Sequence, residues 1–177
     1  MDAPNCRILA LAIRARWLGY AVLEDHCELV DWGMTFFQPS RSSEIRATRR
    51  RLEFLLSNFS PTLIAIAQSD VVASHSASSV RSLIRSIRTE ARARSIPFES
   101  MNRRYIRDSF LEHDAKSKDE IASALVDRFP ELRWKLPRKR RTWEKEHFRM
   151  TLFDAVALGV ACCIRLSETE LSNFNHR

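Results

Sequence analysis

Residues Ile8 to Glu24 read ILALAIRARWLGYAVLE and predict a strand, a turn and a second strand. Apolar side chains fill both halves, and Arg14-Ala15-Arg16 separates them, as in a hairpin whose strands are largely buried. Gly19 lies early in the second strand. No carboxylate occurs between Asp2 and Glu24, so the first predicted strand offers packing but no acidic side chain.

Apolar runs and their breaks extend this pattern along the chain. A third strand-like run, CELVDWGMTFF, follows at Cys27–Phe37, and TLIAIAQ at Thr62–Gln68 has the length of a buried parallel strand. Ile96–Glu99 predicts a fifth strand. Helices are predicted from about Ser42 and over Ser78–Ser95, Asn102–Leu111, Lys118–Phe129 and Met150–Leu166. This order predicts an α/β fold: a mixed five-stranded sheet, antiparallel over three initial strands and parallel over the next two, with helices on both faces.

Length and composition indicate one globular domain. We place it at residues 1–166 of the 177, followed by a C-terminal tail at 167–177. No apolar run reaches the roughly 18 to 20 residues of a membrane span, and the N-terminus lacks a signal-peptide pattern, so we expect a cytoplasmic protein without a membrane partner. The cysteines show no metal-binding spacing and are predicted to be buried free thiols. They are Cys6, Cys27, Cys162 and Cys163.

The charge pattern favours a polyanionic partner, since the net charge is +7 and the excess is mostly arginine. One basic stripe at helical spacing is formed by Arg81, Arg85, Arg88 and Arg92. A denser cluster, Arg138–Arg141, is flanked by Trp134 and Trp143. Guanidinium groups bind phosphates in a fork geometry and indoles stack on unpaired bases, so the cluster predicts nucleic-acid binding. The alternative is a soluble basic exterior with tryptophans that cover the core.

Four segments, in the same order along the chain, resemble the RuvC-type Holliday-junction resolvases of the RNase H-like superfamily. They are the first three strands with Gly19-Tyr20, the run Pro61–Gln68, the segment Lys116–Glu120 and the helix that contains Asp154–Ala161. The resemblance implies an RNase H-like fold, a homodimer, binding of branched DNA and a part in DNA recombination. It also implies that a lysine of the Lys116–Glu120 segment precedes a helix that lies near the DNA.

The same resemblance implies where metal ligands would lie. The family binds two metal ions through an acid on the first strand, an acid on the fourth strand and two acidic or histidine positions at the last helix. In this sequence those positions are Ala12, Ala67, Thr151 and Asp154. Three of them offer no carboxylate or histidine, and one carboxylate cannot hold two divalent ions about 4 Å apart. The metal site is therefore predicted to be degenerate, with Asp154 as its remnant.

Three functions remain open at this point. The first is a catalytically inactive, resolvase-like pseudo-nuclease that binds structured or branched DNA and needs no cofactor. Its DNA contacts would come from Arg138, Lys139, Arg140, Arg141, Lys116, Lys118, Arg81, Arg85, Arg88 and Trp143. The second is an active Mg²⁺-dependent endonuclease with relocated ligands, namely Asp154, Asp70 and Glu146, or Glu24. The third is a protein-interaction module or inactive subunit whose basic surface faces an acidic partner.

The acidic residues also have ordinary structural interpretations. Asp154 suits a helix start or an arginine partner, and Asp70 suits a solvated loop. The alternating charge of RTWEKEHFR, residues 141–149, is typical of a solvated surface. That interpretation would leave Glu144, Glu146 and His147 outside any site.

Overall fold

A computed structural model describes residues 6–14, 16–25, 27–36, 42–67, 77–113, 115–141 and 143–174. The strands are β1 (Arg7–Arg14), β2 (Trp17–Glu24), β3 (Glu28–Phe36), β4 (Leu63–Ala67) and β5 (Phe98–Met101). They form one sheet in the order β3-β2-β1-β4-β5. The first three strands pair antiparallel, whereas β4 is parallel to both β1 and β5. The predicted mixed five-stranded sheet is therefore confirmed.

Helices cover both faces of this sheet, as predicted. They are α1 (Ser42–Phe59), α2 (Ala77–Ala93), α3 (Arg103–Asp108), α4 (Lys118–Arg128) and α5 (Met150–Phe174). The apolar sides of α1 and α2 pack on one face, and those of α3, α4 and α5 pack on the other. Two short 3-10 helices, Leu111–His113 and Pro130–Lys135, flank α4 on the second side.

Alternation along β1 separates the two layers. Ile8, Ala10 and Ala12 belong to the core under α5, whereas Leu9 and Leu11 belong to the core under α1 and α2. Successive side chains of a strand point to opposite faces, so a strand covered on both sides is apolar at every position. That double burial explains the unbroken apolar run in the sequence.

Small residues let α5 lie close to the sheet. A side chain at Gly19 of β2 would collide with the backbone carbonyl of Thr151, and one at Gly159 would collide with Leu23. Gly19 is the partner of Ala12 in the β1–β2 ladder. The first turn of α5 is therefore held against the end of β1, and this contact positions Asp154.

The final helix is longer than predicted. It continues past Leu166, where the sequence analysis ended it, up to Phe174. Residues 167–174 contain neither glycine nor proline, so nothing in them interrupts the helix, and Tyr105 donates a hydrogen bond to Glu168 at 3.3 Å. The limits of the domain and tail stay a prediction.

The apolar part of α5 differs from the expectation that no segment matches a membrane span. Met150–Thr169 has the length of a span and a mean hydropathy of 1.6. Most of it is buried within the protein, where it contacts β1, β2 and β4. Its composition is therefore that of a central core helix.

Two cysteines are paired, so the prediction of free thiols is wrong for them. Cys27 follows β2 and forms a disulfide with Cys163 of α5, with 5.8 Å between the Cα atoms. The two residues are 136 positions apart in the sequence. Their pairing depends on where α5 packs, and the spacing of the cysteines in the sequence does not reveal that position. Cys6 and Cys162 are free, and burial raises the pKa of the Cys162 thiol to about 12.

The start of α4 is fixed by a capping box. The Ser117 hydroxyl accepts a hydrogen bond from the Glu120 backbone, and the Glu120 carboxylate accepts one from the Ser117 backbone. We expect Ser117→Ala to lower the free energy of unfolding by about 1 kcal/mol in urea titrations, because a backbone donor loses its partner. Ser123→Ala, in the middle of α4, is the control and should change it by less than about 0.5 kcal/mol. Equal losses in the two variants would contradict the capping role.

Candidate functional site

A cleft of about 250 Å³ opens where β1, β4 and α5 meet. Ala12 of β1, Ala67 of β4 and Asp154 of α5 all line it, so the structure brings three of the four positions named above to one place. Thr151 is 1% exposed and is not part of the lining. The basic residues of the lining are Arg14, Arg103, Arg107, Lys116 and Lys118. With Asp154 as the one acidic lining residue of the described chain, the cleft is strongly cationic.

Four charged side chains form a cluster at this cleft. Lys118 Nζ lies 2.9 Å from Asp154 Oδ1 and 3.1 Å from Glu146 Oε1. The Arg14 guanidinium donates a hydrogen bond to Glu146 Oε1 and lies 3.8 Å from Asp154 Oδ2. Both carboxylates are therefore shared between the same two cations. We call this set the charge cluster.

A separate structural element positions each member of the charge cluster. Arg14 ends β1 two residues after Ala12, so both side chains lie on the same face of the strand. Lys118 begins α4 directly after the capping serine. Glu146 lies before α5, in a segment that Phe148 holds to the sheet by stacking on Trp17, with 4.7 Å between ring centroids.

Burial shapes the protonation of the two cations. Desolvation lowers the pKa of Lys118, although Asp154 acts in the opposite direction, and Arg14 and Arg103 lower it further. Desolvation likewise lowers the pKa of Arg14, with Asp154 opposing and Arg103 and Arg140 adding to the effect. The neighbouring positive charges that lower these pKa values would also repel an added divalent cation.

The described residues do not fit a pair of divalent metal ions. No three histidine, cysteine, aspartate or glutamate side chains converge within the described part of the chain. Ala12 and Ala67 present methyl groups to the cleft, and the two nearby carboxylates already bind Arg14 and Lys118. Mg²⁺ and Mn²⁺ need several oxygen ligands each, which this arrangement does not supply.

Two of the proposed relocated ligands have a clear outcome, and one does not. Glu146 does reach the site, so the interpretation of it as a solvated surface acid is wrong; its side chain is 17% exposed. Glu24 pairs with Arg7 at the opposite end of β1, about 16 Å along the strand from Ala12, which excludes it. Asp70 lies outside the described residues.

The predicted basic cluster forms an exposed segment beside the cleft. Arg138 pairs with Glu144 at 2.6 Å, and the Arg141 guanidinium lies over the Trp143 ring at 5.7 Å. Arg140 is close enough to Arg14 to affect its pKa, which connects the segment to the charge cluster. Trp143 is 77% exposed, so it does not cover the core. His147 stacks on Phe148 and accepts a hydrogen bond from the Arg149 backbone.

The basic stripe of α2 lies elsewhere. Arg81, Arg85 and Arg88 are on the helix that covers the opposite face of the sheet. The structure therefore splits the predicted DNA-binding residues into two groups, one at the cleft and one behind the sheet.

Sequence reasoning missed three basic residues of the cleft. Arg14, Arg103 and Arg107 line it but were not predicted as site residues. For Arg14 a signal existed, because a residue two positions after Ala12 on a strand must share its face. Arg103 and Arg107 are brought in by α3, whose position at the cleft is set by tertiary packing.

Known structures share this architecture. No protein-family profile and no curated protein matches the sequence. RuvC from Thermus thermophilus in complex with a Holliday junction substrate superimposes with a TM-score of 0.63 at 15% identity, over 88% of this chain and 91% of that one. Another Thermus thermophilus RuvC structure gives 0.60 at 14% identity, over 88% and 92% of the two chains.

A eukaryotic resolvase shows the same likeness. The yeast mitochondrial Holliday junction resolvase Ydc2 superimposes with a TM-score of 0.59 at 14% identity, over 98% of this chain and 86% of that one. The protein thus has an α/β fold of the RNase H-like type. Within that type it has the RuvC-like fold that the sequence predicted.

Proposed function

We propose that this protein binds structured or branched DNA at the cleft and does not hydrolyse it. The single observation that carries the proposal is the charge cluster: Arg14 and Lys118 bind both nearby carboxylates, in a cleft where β1 and β4 present alanines. Arg14 and Lys118 thus neutralise these carboxylates, as bound metal ions would do in a two-metal site. A homodimer and a cytoplasmic location stay predictions.

The DNA backbone would contact the basic margin of the cleft. Lys139, Arg140 and Arg141 are exposed and follow one another along an irregular segment, so their side chains can follow successive phosphates. Lys116 and Lys118 line the cleft and add positive charge beside this segment. Trp143, exposed beside Arg141, offers a stacking surface for an unpaired base at a branch point. Such contacts select shape over sequence.

Fold likeness supports the choice of DNA as the ligand. The Thermus thermophilus RuvC structure was solved with a Holliday junction substrate. Among the described residues, five cations line the cleft and outnumber the carboxylates of Asp154 and Glu146 at the charge cluster, which suits the same kind of polyanion. Hydrolysis is not expected, because the described residues lack the oxygen ligands that a two-metal reaction needs.

We expect fluorescence anisotropy to show binding of a four-way junction that weakens steeply with salt. Arg140→Ala should weaken it several-fold and reduce the slope of log K against log salt by about 1, because one phosphate contact is lost. Arg128→Ala removes an exposed arginine from the far end of α4 and should change neither value. No product should form in Mg²⁺ or Mn²⁺ from junction, duplex or single-stranded DNA.

Two outcomes would replace the proposal with its rivals. Metal-dependent cleavage that Asp154→Ala abolishes would establish an endonuclease with relocated ligands. No affinity for any nucleic acid at low salt would leave the protein-interaction module, with an acidic partner on the basic surface.

A further inference from the structure

Most of the net positive charge of this protein lies on the layer behind the cleft. Helices α1 and α2 together contain eight arginines and three glutamates, so they supply five of the seven net positive charges of the chain. The cleft layer contains many cations but also many acids. The fold thus separates the predicted α2 stripe, on a layer with few acids, from the Arg138–Arg141 cluster, on a layer that combines its cations with many acids.

The arginines of the basic layer are not neutralised within the protein. On the described side chains, no carboxylate lies within 4 Å of an arginine of α1 or α2. Glu90 of α2 pairs instead with Arg94, just after the helix, at 4.0 Å. Several cations on the other layer are paired, namely Arg14 with Glu146, Lys118 with Asp154 and Arg138 with Glu144. Unpaired like charges at this density repel one another unless a polyanion binds.

Several of these guanidinium groups are held in place by neutral side chains. Arg49 of α1 donates from Nε and Nη2 to the Ser86 hydroxyl of α2, both at 3.1 Å, and so bridges the two helices. Arg88 lies over the Phe98 ring at 5.0 Å, and Arg51 lies over the Phe54 ring at 5.2 Å. Guanidinium groups fixed in this way keep other N–H donors for phosphates and lose less freedom on binding.

The stripe on α2 has the dimensions of a DNA backbone contact. Arg81, Arg85, Arg88 and Arg92 are all exposed and recur at helical spacing across twelve residues, or about 16 Å of helix. That length matches roughly five successive phosphates of one strand, at about 3.4 Å each along the axis. The exposed positions beside the arginines include Ser82 and Thr89, which are polar. A protein partner would need an apolar anchor, which these positions do not provide.

We propose that the α1–α2 layer is a second DNA-binding surface, so that one molecule holds two DNA segments on opposite faces of its sheet. The inference rests on the proposed function, because the cleft supplies the first segment. A second copy of this chain fits the α2 stripe poorly, since a symmetric contact would bring two unpaired arginine stripes together. The DNA backbone neutralises the stripe without such repulsion.

A bridging experiment tests this directly. Duplex DNA is fixed on beads, and the protein is asked to capture a second, fluorescent duplex at about 0.1 M salt. We expect the wild type to capture it and Arg81→Glu/Arg85→Glu/Arg92→Glu to capture at least tenfold less. The same variant should bind a single four-way junction in solution within about threefold of wild type, because the cleft is intact. Arg81→Lys/Arg85→Lys/Arg92→Lys keeps the charge and should retain most of the capture.

The outcomes separate this inference from the proposed function. If the wild type binds no DNA in solution, the proposed function fails first. If it binds a junction but the glutamate variant bridges as well as the wild type, the second surface is wrong and an acidic protein becomes the better partner for the stripe. Circular dichroism melts of the glutamate and lysine variants confirm that exposed substitutions on α2 leave the fold intact.

Discussion

Replacing Arg14 and Lys118 together by methionine is expected to lower the free energy of unfolding by roughly 2 to 3 kcal/mol and to make stability sensitive to divalent cations. Both carboxylates of the charge cluster would then face each other without a counter-charge. Breaking a fully buried ion pair costs more, but these four side chains are between 17% and 38% exposed, so water screens part of the repulsion.

Added Mn²⁺ should restore part of this loss, because a cation that binds only the folded protein stabilises it by mass action. The measurement is urea unfolding of wild type and variant in EDTA and in Mn²⁺. The free energy of unfolding of the wild type should be the same in both. Lys145→Met is the matched control: it removes a charge next to Glu146, from an exposed lysine outside the charge cluster. A variant as stable as the wild type would show that Arg14 and Lys118 do not act as counter-charges.

The predictable part of this fold came from local pattern. Uninterrupted apolar runs such as Ile8–Ile13 and Leu63–Ile66 have the length and bounds of strands covered on both faces, and their order along the chain indicates a mixed sheet. The convergence of Ala12, Ala67 and Asp154 also followed, because the resemblance aligned them with positions that meet in the resolvase fold. Neither inference required knowledge of side-chain contacts.

The part that could not be predicted depends on pairs that are distant in sequence. Glu146 was assigned to a solvated surface because its neighbours alternate in charge, yet its partner Arg14 lies 132 residues earlier. Cys27 and Cys163 are another such pair. The separation of the α2 stripe from Arg138–Arg141 was equally hidden, because helical spacing reveals the face of a helix but not the face of the sheet that the helix covers.

Restoring acids at the two alanine positions should make the protein bind divalent metal. Ala12 lies on β1 and Ala67 on β4, neighbouring parallel strands whose ladder runs from Ile8–Leu63 to Leu11–Ile66. In EDTA, we expect Ala12→Asp/Ala67→Glu to lose about 3 kcal/mol of stability or more, because new carboxylates would be buried near Asp154. Excess Mn²⁺ should return up to about 2.7 kcal/mol at a hundredfold excess over Kd.

Thermal melts in EDTA and Mn²⁺ measure both effects, and the isosteric variant Ala12→Asn/Ala67→Gln serves as control. The amides have the same shape without charge, so this variant should lose stability but gain nothing from the metal. If Mn²⁺ does not raise the stability of the acidic variant either, the alanines alone do not explain the missing metal site. Adding Arg14→Met to it then decides the cause: a metal response that appears only in this triple variant would identify the guanidinium at the end of β1 as the barrier. A response already present without it would mean that two lost oxygen ligands, and not the cations that took their place, separate this cleft from a metal site.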